Sequence, residues 1–251
     1  MKHKSSLYME LLDFIRIQSK ESDRLPTEEE MAKHFGVSRV KLRDALAALQ
    51  NNGYIMRKKG AGTRINPYIL KETARLDIDV FFEELITDSG FTPSTFVHKI
   101  KALRSLPAHI QKRLEVKEGQ LIYQIEKTIY ADGVPAIFLV DYLPSKYYNH
   151  DEIDLNLLAR STFLFVENHC EQLVDNLIVH IHAIAAQDNV AETLNLESGA
   201  PVLLLSSVSY NQSLKPIMYS QEYYNTELLP LSFQKRIILS KQPSSTSQDT
   251  E

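Results

Sequence analysis

Residues 25–65 read LPTEEEMAKHFGVSRVKLRDALAALQNNGYIMRKKGAGTRI, and this stretch decides the fold of the N-terminal part of the chain. Thr27 and Glu30 have the spacing of a capping box, in which each side chain satisfies the backbone amide of the other, so a helix is predicted to begin after Thr27. Gly36 ends this helix because a residue without a Cβ can turn there without strain. Ser38 is a suitable N-cap for a second helix. The pattern therefore predicts two short helices joined by a tight turn.

The second predicted helix combines an apolar side with a cationic beginning. Arg39, Lys41 and Arg43 crowd its first turns, although a helix N-terminus favours carboxylates. An external polyanion explains these cations better than the helix dipole does. Gly53 closes the helix. The residues expected to form its buried side are Val40, Leu42, Ala45, Leu46 and Leu49.

A basic hairpin follows the two helices. Two short strands are predicted at 54–56 and 63–65, around the loop RKKGAG at 57–62. From Arg39 to Arg64 the chain holds seven Lys or Arg residues and one acidic residue. Any one of these cations, taken alone, would be interpreted as a solvated surface charge. Together, and in this order of elements, they predict a winged helix-turn-helix that binds double-stranded DNA through its second helix.

This segment resembles the DNA-binding domain of the GntR family of bacterial transcription regulators. The resemblance rests on LPTEEEMAKHFGVSR, LRDAL, GYI and GAGTRIN, and it runs without a gap from Leu25 to Asn66, after a predicted helix at 6–18. It implies DNA contacts from both helices and from the hairpin. The implied DNA-contact residues are Thr27, Arg39, Val40, Lys41, Arg43, Arg57, Lys58, Lys59, Gly60 and Thr63.

The resemblance also gives some of these residues separate roles. Lys59 and Gly60 would form the tip of a wing that enters the minor groove, and Lys41 would lie at the floor of the major groove with its neighbour Val40. The sequence departs from the family at Glu29, where many relatives carry an Arg used on DNA, and at Lys41-Leu42, where a Thr-Val pair is common. We therefore expect an operator that differs from the usual one of the family.

Length and composition allow two globular domains. The chain has 251 residues, of which 43% are hydrophobic and 24% are charged. Its net charge of −4 is uneven, because residues 1–66 carry 13 basic and 8 acidic side chains and residues 67–251 carry 15 and 24. A positive small domain and a negative large domain fit different partners. Since no long apolar run and no signal-peptide core is present, we expect a cytoplasmic protein without a membrane partner.

The larger domain is predicted to be α+β. A helix is expected at 80–86, and Asp132-Gly133 is a hairpin signal between two strands. Six strands rich in β-branched and aromatic residues are predicted at 95–106, 121–130, 136–142, 173–185, 202–210 and 216–225. Short helices fit between them at 107–114, 155–159, 162–170 and 189–194. This mixture predicts a mainly antiparallel sheet with helices packed on it.

The order of these elements is similar to the effector-binding domain of the HutC, or UTRA, branch of GntR regulators, whose fold resembles chorismate lyase. The motifs that carry the resemblance are GFTPST at 90–95, LEVKEGQ at 114–120, YADGVPA at 130–136, DYLP at 141–144, LNLESGAPVL at 194–203 and YSQEYYN at 219–225. It implies a ligand cleft between the sheet and the helix that begins near residue 161. The implied effector-binding residues are Lys127, Ser161, Phe163, Glu222 and Tyr224.

The two resemblances together define a domain plan and a fold class. The fold class is α+β, with an N-terminal winged helix-turn-helix and a C-terminal UTRA domain that is an antiparallel sheet with helices. The expected boundaries are 1–67 for DNA binding, 68–79 for a linker, 80–240 for effector binding and dimerisation, and 241–251 for a polar, disordered tail.

The cleft residues also bear on the charge of the effector. Relatives that bind phosphorylated sugars tend to carry two Arg where this chain has Lys127 and Ile129. A phosphate dianion in a partly dry pocket needs several cations or forked donors, so we expect a neutral or singly charged effector, held partly by Phe163 and Tyr224. The ordinary alternatives are Lys127 as a solvated strand charge, Phe163 as a core residue, Ser161 as a helix N-cap, and Glu222 and Tyr224 as alternating positions of a surface strand.

His180 and His182 stand two residues apart on a predicted strand, so both face the same side. Three interpretations stay open for this pair: a metal site, the lining of the cleft or a dimer interface, and plain surface exposure. No third ligand of suitable spacing is evident in the sequence, and the single cysteine, Cys170, excludes an intrachain disulfide and argues against a thiolate metal site. We expect no metal and no cofactor.

The sequence thus predicts a ligand-responsive transcription regulator, a repressor of a bacterial metabolic operon that a small-molecule effector releases from its operator. A symmetric homodimer is expected because one recognition helix covers only a few base pairs. Two alternatives are a chorismate-lyase-like enzyme and a DNA-binding protein without a ligand. The sequence shows no catalytic triad order and no nucleotide-binding loop, so we do not expect an enzyme.

Overall fold

The computed structural model describes residues 5–58, 62–78, 81–147, 154–170 and 172–235. The helices are α1 Ser5–Gln18, α2 Glu28–His34, α3 Arg39–Asn51, α4 Phe82–Asp88, α5 Ala108–Leu114, α6 Leu155–Arg160, α7 Thr162–His169 and α8 Asp188–Thr193. The strands are β1 Ile55–Lys58, β2 Gly62–Ile65, β3 Ala74–Arg75, β4 Pro93–Leu103, β5 Ile122–Ala131, β6 Val134–Pro144, β7 Val174–Ala185, β8 Pro201–Asn211, β9 Pro216–Tyr224 and β10 Leu231–Ser232.

The chain divides into two compact units. The N-terminal unit extends from Met1 to Asp77 and also takes the chain from Ser232 onward, while the effector unit is Ile78–Leu231. The sequence-based plan assigned everything up to residue 240 to the effector domain, whereas the effector unit ends at Leu231. The boundary differs because residues 232–234 contact the N-terminal unit, and no pattern in the sequence predicts these contacts.

The caps of α2 and α3 form as the sequence predicts. The Oγ1 of Thr27 accepts a hydrogen bond from the Glu30 amide at 3.3 Å, and the Thr27 amide donates to Oε2 of Glu30 at 2.8 Å. The Oγ of Ser38 accepts from the Lys41 amide at 3.2 Å. Between the two helices Gly36 has a φ of 62°, the left-handed turn that the glycine was expected to allow.

The three helices and the hairpin enclose a small apolar core. Its fully buried members are Leu11, Ile15, Met31, Leu42, Leu46, Leu49 and Ile55. The expectation that Val40 belongs to the buried side of α3 is wrong, since Val40 is 70% exposed. Two residues of an α-helix turn through about 200°, so Val40 lies on the side of the helix opposite Leu42.

The effector unit is built on one antiparallel sheet of six strands in the order β4-β5-β6-β9-β8-β7. All six predicted strands are present, and the Asp132-Gly133 turn joins β5 to β6. Helices α5 and α8 pack on one face, over Phe138 and Val208, and α6 and α7 pack on the other, over Ile125 and Leu143. The predicted α+β architecture is confirmed.

The predicted linker contains regular structure. Residues 69–71 form a 3-10 turn, and β3 pairs with β10, where the Leu76 amide donates to the Ser232 carbonyl at 2.8 Å. The side chain of Gln234 lies over Gly53, in the space that a Cβ would occupy. A strand of two residues is too short to show an alternation of apolar and polar side chains, so the sequence did not indicate this pairing.

Arg75 fixes β3 to the end of α3. Its side chain is almost completely buried, and its guanidinium donates to the Asn52 carbonyl at 2.8 Å and to the Asp77 carboxylate at 3.1 and 2.5 Å. It also lies 5.1 Å from the ring centre of Tyr54, a cation–π distance. We call Arg75, its partners Asn52, Tyr54 and Asp77, and the β3–β10 pair the clasp.

Replacing Arg75 with Ala is expected to loosen the last turn of α3. Loss of a buried guanidinium leaves the Asn52 carbonyl and the Asp77 carboxylate without this donor, which costs about 2 kcal/mol of local opening free energy. Hydrogen exchange of the full chain, followed by mass spectrometry of α3 peptides, measures this. The matched control is Arg64→Ala, which removes a half-exposed pair with Asp23 and is expected to change α3 exchange much less. Unchanged exchange in the Arg75 variant would contradict the role given to the clasp.

Candidate nucleic-acid interface and effector cleft

The first turns of α3 present exposed cations. Arg39, Lys41 and Arg43 are all exposed, and Val40 lies between them with most of its surface in solvent. The exposure of Val40 excludes a place in the core, and its place at a groove floor stays a prediction. This end of α3 therefore offers a cationic surface with one apolar side chain in its middle.

Glu28 joins α3 to the hairpin through two arginines. Its Oε2 accepts a hydrogen bond from Nε of Arg43 at 2.6 Å, and its Oε1 accepts one from Arg57 of β1. The hydrogen bond from Arg43 lowers the pKa of the Glu28 carboxyl below its ordinary value, although desolvation opposes this. The carboxylate is therefore ionised at neutral pH and links α2, α3 and β1. We call this arrangement the Glu28 bridge.

Glu29, the departure from the family pattern, lies beside the exposed cations at the start of α3. Its carboxylate is 4.0 Å from a guanidinium nitrogen of Arg39, and both side chains are well exposed. At this distance the pair is a weak surface contact. The position usually held by a cation thus carries a negative charge next to the first residue of α3.

A groove of about 440 Å³ lies between the start of α2 and the hairpin, and Arg57 is part of its lining. Thr27, Lys58 and Thr63 line this groove. The Thr27 hydroxyl donates to Glu30 at 2.7 Å, so it serves the cap of α2. The wing-tip residues Lys59 and Gly60 lie outside the described residues. The DNA contacts of the whole set stay a prediction.

Lys127 is buried on β5, on the sheet face that α6 and α7 cover. Its Nζ donates to the Leu158 carbonyl at 3.1 Å and to Oγ1 of Thr162 at 2.8 Å, and Thr162 in turn donates to Asp141 at 2.6 Å. Burial lowers the pKa of Lys127, and the negative charges of Asp141 and Glu222 oppose this shift. A solvated strand charge is therefore excluded, and the ammonium is held by groups of the protein.

The other predicted effector residues lie on the same face of the sheet. Ser161 caps α7 by accepting from the Leu164 amide at 3.3 Å, and Phe163 packs against the core beneath α6 and α7. Tyr224 donates from its hydroxyl to Glu222 at 2.6 Å, both on the central strand β9. The structure thus brings the five predicted residues to one face, and it adds two that sequence reasoning missed, Asp141 and Thr162.

His180 and His182 lie on β7, opposite Ser206 and Leu204 of β8, and both are exposed on the same face. Among the described residues, no three His, Cys, Asp or Glu side chains are grouped so that they could hold a metal ion.

In the same part of the chain, no helix has the length and apolar character that crossing a membrane requires. Cys170 is a buried free thiol, and burial raises its pKa to about 11.

Each of the two units matches the model of a known protein family. The model described as "Bacterial regulatory proteins, gntR family" matches residues 7–65, and that of the UTRA domain matches residues 88–229. The mannosyl-D-glycerate transport/metabolism system repressor MngR of Escherichia coli (strain K12) is 24% identical over 90% of this chain and 94% of its own. The transcriptional repressor NagR of Bacillus subtilis (strain 168) is 24% identical over 87% and 90%.

Solved structures share the fold. The possible transcriptional regulator YydK from Bacillus subtilis superposes with a TM-score of 0.72 at 19% identity, over 93% of this chain and 99% of its own. PhnF from Mycobacterium smegmatis gives a TM-score of 0.57 at 20% identity, over 91% and 98%.

These matches cover both units and most of the chain. GntR-family regulators bind operator DNA through the helix-turn-helix, and the UTRA domain binds small-molecule effectors. The function predicted from the sequence, a ligand-responsive DNA-binding transcription regulator, is confirmed at this level. The chain belongs to the GntR family of bacterial transcription regulators, in the HutC branch whose members join a helix-turn-helix domain to a UTRA domain.

Proposed function

We propose that the chain is a homodimeric repressor that binds operator DNA through α3 and the β1–β2 hairpin. The repressor releases the operator when a neutral or singly charged effector binds the effector unit. The observation that carries this proposal is the exposed cationic start of α3, where Arg39, Lys41 and Arg43 oppose the helix dipole. Arg39 and Arg43 keep 59% and 58% of their side-chain surface exposed beside Glu29 and Glu28, and Lys41 is exposed as well, so a phosphate backbone can contact all three cations. The relatives named as repressors support the direction of regulation.

The domain plan supports a regulator rather than an enzyme. We assign DNA binding to the N-terminal unit and effector binding and dimerisation to the effector unit, Ile78–Leu231; the tail at 241–251 lies outside the described residues, as do the hairpin positions 59–61. A DNA-binding domain attached to a ligand-binding fold serves regulation without turnover. Because its operator lies in the bacterial cytoplasm, we assign the protein to that compartment.

The surface that we assign to dimerisation is the edge strand β7. Ile178, Val179 and Ile181 are 52%, 44% and 54% exposed, and they point to both faces of the sheet. No described strand pairs with the outer edge of β7. An edge strand that exposes apolar side chains on both faces needs a cover, and a second copy related by a two-fold axis supplies one. His180 and His182 belong to the same surface.

The charge around Lys127 supports an effector with little negative charge. One ammonium lies among two carboxylates, those of Asp141 and Glu222, and its described bonds go to the protein. A phosphate dianion in this place would meet more repulsion than attraction. Repressors of mannosyl-D-glycerate and fructoselysine systems are among the relatives, so a polar sugar derivative is the effector class we propose.

Replacing both Arg39 and Arg43 with Ala is expected to weaken operator binding about 100-fold and to lower the salt slope by about two ion equivalents. The probe is a duplex selected from a randomised library by the wild-type chain, and fluorescence anisotropy across a salt series measures the affinity. The control, Lys99→Ala with Lys101→Ala, removes two exposed cations from the effector unit and should leave affinity unchanged. A folded double variant with wild-type affinity would refute the assigned interface.

Introducing Lys at both Val179 and Ile181 is expected to convert the dimer to a monomer, because like charges then face each other across the two-fold axis and the apolar cover is lost. Light scattering at micromolar concentration measures the mass. Phe96→Lys, on the opposite edge strand β4 at 58% exposure, is the control and should keep the dimer. A dimer that survives both β7 substitutions would show that its interface lies elsewhere.

For the effector, we expect the phosphorylated member of a sugar pair to bind less tightly than its neutral counterpart. Thermal shift screening with glucosamine and glucosamine 6-phosphate, and likewise with other sugars, gives a first ranking, since a ligand stabilises the unit that binds it. Calorimetric titration then gives affinities. Micromolar binding of a sugar phosphate that is lost in Lys127→Met would overturn the proposed effector class.

A further inference from the structure

We propose that Glu28 is a positioning residue for DNA recognition, which holds Arg43 of α3 and Arg57 of β1 at the mutual placement that a specific duplex requires. The inference rests on the proposed DNA-binding surface and goes beyond it, because Glu28 carries no positive charge and belongs to neither the recognition helix nor the hairpin. Its contribution is to the discrimination between sequences rather than to the attraction for DNA.

The geometry of the Glu28 bridge supports this role. The carboxylate has two oxygens, and each accepts from a different guanidinium, one from the recognition helix and one from the hairpin. Its side chain is 18% exposed, whereas that of the neighbouring Glu29 is 82% exposed and lies 4.0 Å from a single arginine. Glu28 is thus a largely enclosed partner of two cations, and Glu29 is an ordinary surface acid.

An acidic side chain on a DNA-binding surface has an electrostatic cost. Glu28 repels phosphates and neutralises part of the charge of two arginines, so a surface designed only for attraction would be stronger without it. An arginine recognises guanine through two hydrogen bonds from its planar guanidinium, and these bonds form only when the guanidinium is correctly oriented. A carboxylate that orients two guanidinium groups therefore improves the discrimination between duplexes, while its negative charge weakens the attraction to all of them.

The test compares Glu28→Gln with wild type in the full-length chain, on the selected duplex and on a scrambled duplex of equal length. Loss of the negative charge is expected to raise affinity for the scrambled duplex up to about fivefold. Loss of the ionic bridge is expected to lower affinity for the selected duplex about tenfold, because a base-contacting guanidinium is no longer oriented. The ratio of the two affinities, which measures specificity, therefore falls.

Glu29→Gln is the matched control, since it makes the same change of charge one residue further along α2. It is expected to strengthen binding to both duplexes alike and to leave the ratio unchanged. If Glu28→Gln behaves in the same way, Glu28 contributes only bulk charge and the inference is wrong. If it lowers both affinities together with the melting temperature, Glu28 has a purely structural role and the inference is also wrong.

A second variant tests the inference if the Glu28→Gln protein does not fold. Glu28→Asp keeps the charge and withdraws the carboxylate by one methylene, so the ratio is expected to fall with no gain on the scrambled duplex, and an unchanged ratio would contradict the inference. Wild type is measured first. A wild-type chain that does not prefer its selected duplex would refute the proposed function, whereas a wild-type preference that Glu28→Gln and Glu28→Asp leave intact would refute only the role of Glu28.

Discussion

The guanidinium of Arg75 is the group on which the arrangement around α3 depends. A buried guanidinium must find acceptors for its donors, and here they are the carbonyl that ends α3 and the carboxylate of Asp77. The chain crosses from one unit to the other at residues 77–78 and again at 231–232. Both crossings are bonded into the clasp, through Asp77 and through the β3–β10 pair. Within the N-terminal unit, the last turn of α3 is therefore hydrogen-bonded to Arg75 and, through Arg75 and β3, to Asp77 and Ser232.

The two ends of the recognition helix use the same chemistry at different exposure. Arg75 is enclosed with its partners, so that pairing is fixed, whereas Arg43 is 58% exposed while it contacts Glu28. A half-exposed guanidinium that Glu28 holds at Nε keeps its other nitrogens available to DNA, whereas the buried guanidinium of Arg75 is enclosed by its partners. Within the N-terminal unit, the last turn of α3 is thus fixed by a buried pair, and its first turns are oriented by a half-exposed pair where DNA would approach. This asymmetry suits a helix that is anchored at one end and contacts DNA at the other.

Sequence reasoning succeeded where the signal is local and failed where it depends on distant partners. The caps at Thr27 and Ser38 and the six long strands follow from neighbouring residues, and all are present. The partners of Lys127 were missed, because the register of β5 against β6 shifts between Ile129 and Tyr130, and only this shift places Asp141 opposite Ile125, two residues from Lys127. The pairing set by the Asp132-Gly133 turn alone would place Asp141 opposite Gln124, on the other face of the sheet, so the contact with Lys127 had no signal in the sequence. Thr162 had none, because it enters from a helix whose docking the sequence does not specify.

The position of Lys127 also limits how an effector can act. Its two described bonds go to Leu158 near the end of α6 and to Thr162 at the start of α7, so the ammonium ties the junction of these helices to the sheet. A ligand that recruits this ammonium must compete with both acceptors, and it leaves the Asp141–Thr162 pair to rearrange. Part of the binding energy of such a ligand would then drive a movement of α6 and α7 instead of adding to its affinity. Because linkage is reciprocal, an operator that disfavours this movement must weaken effector binding by the same factor.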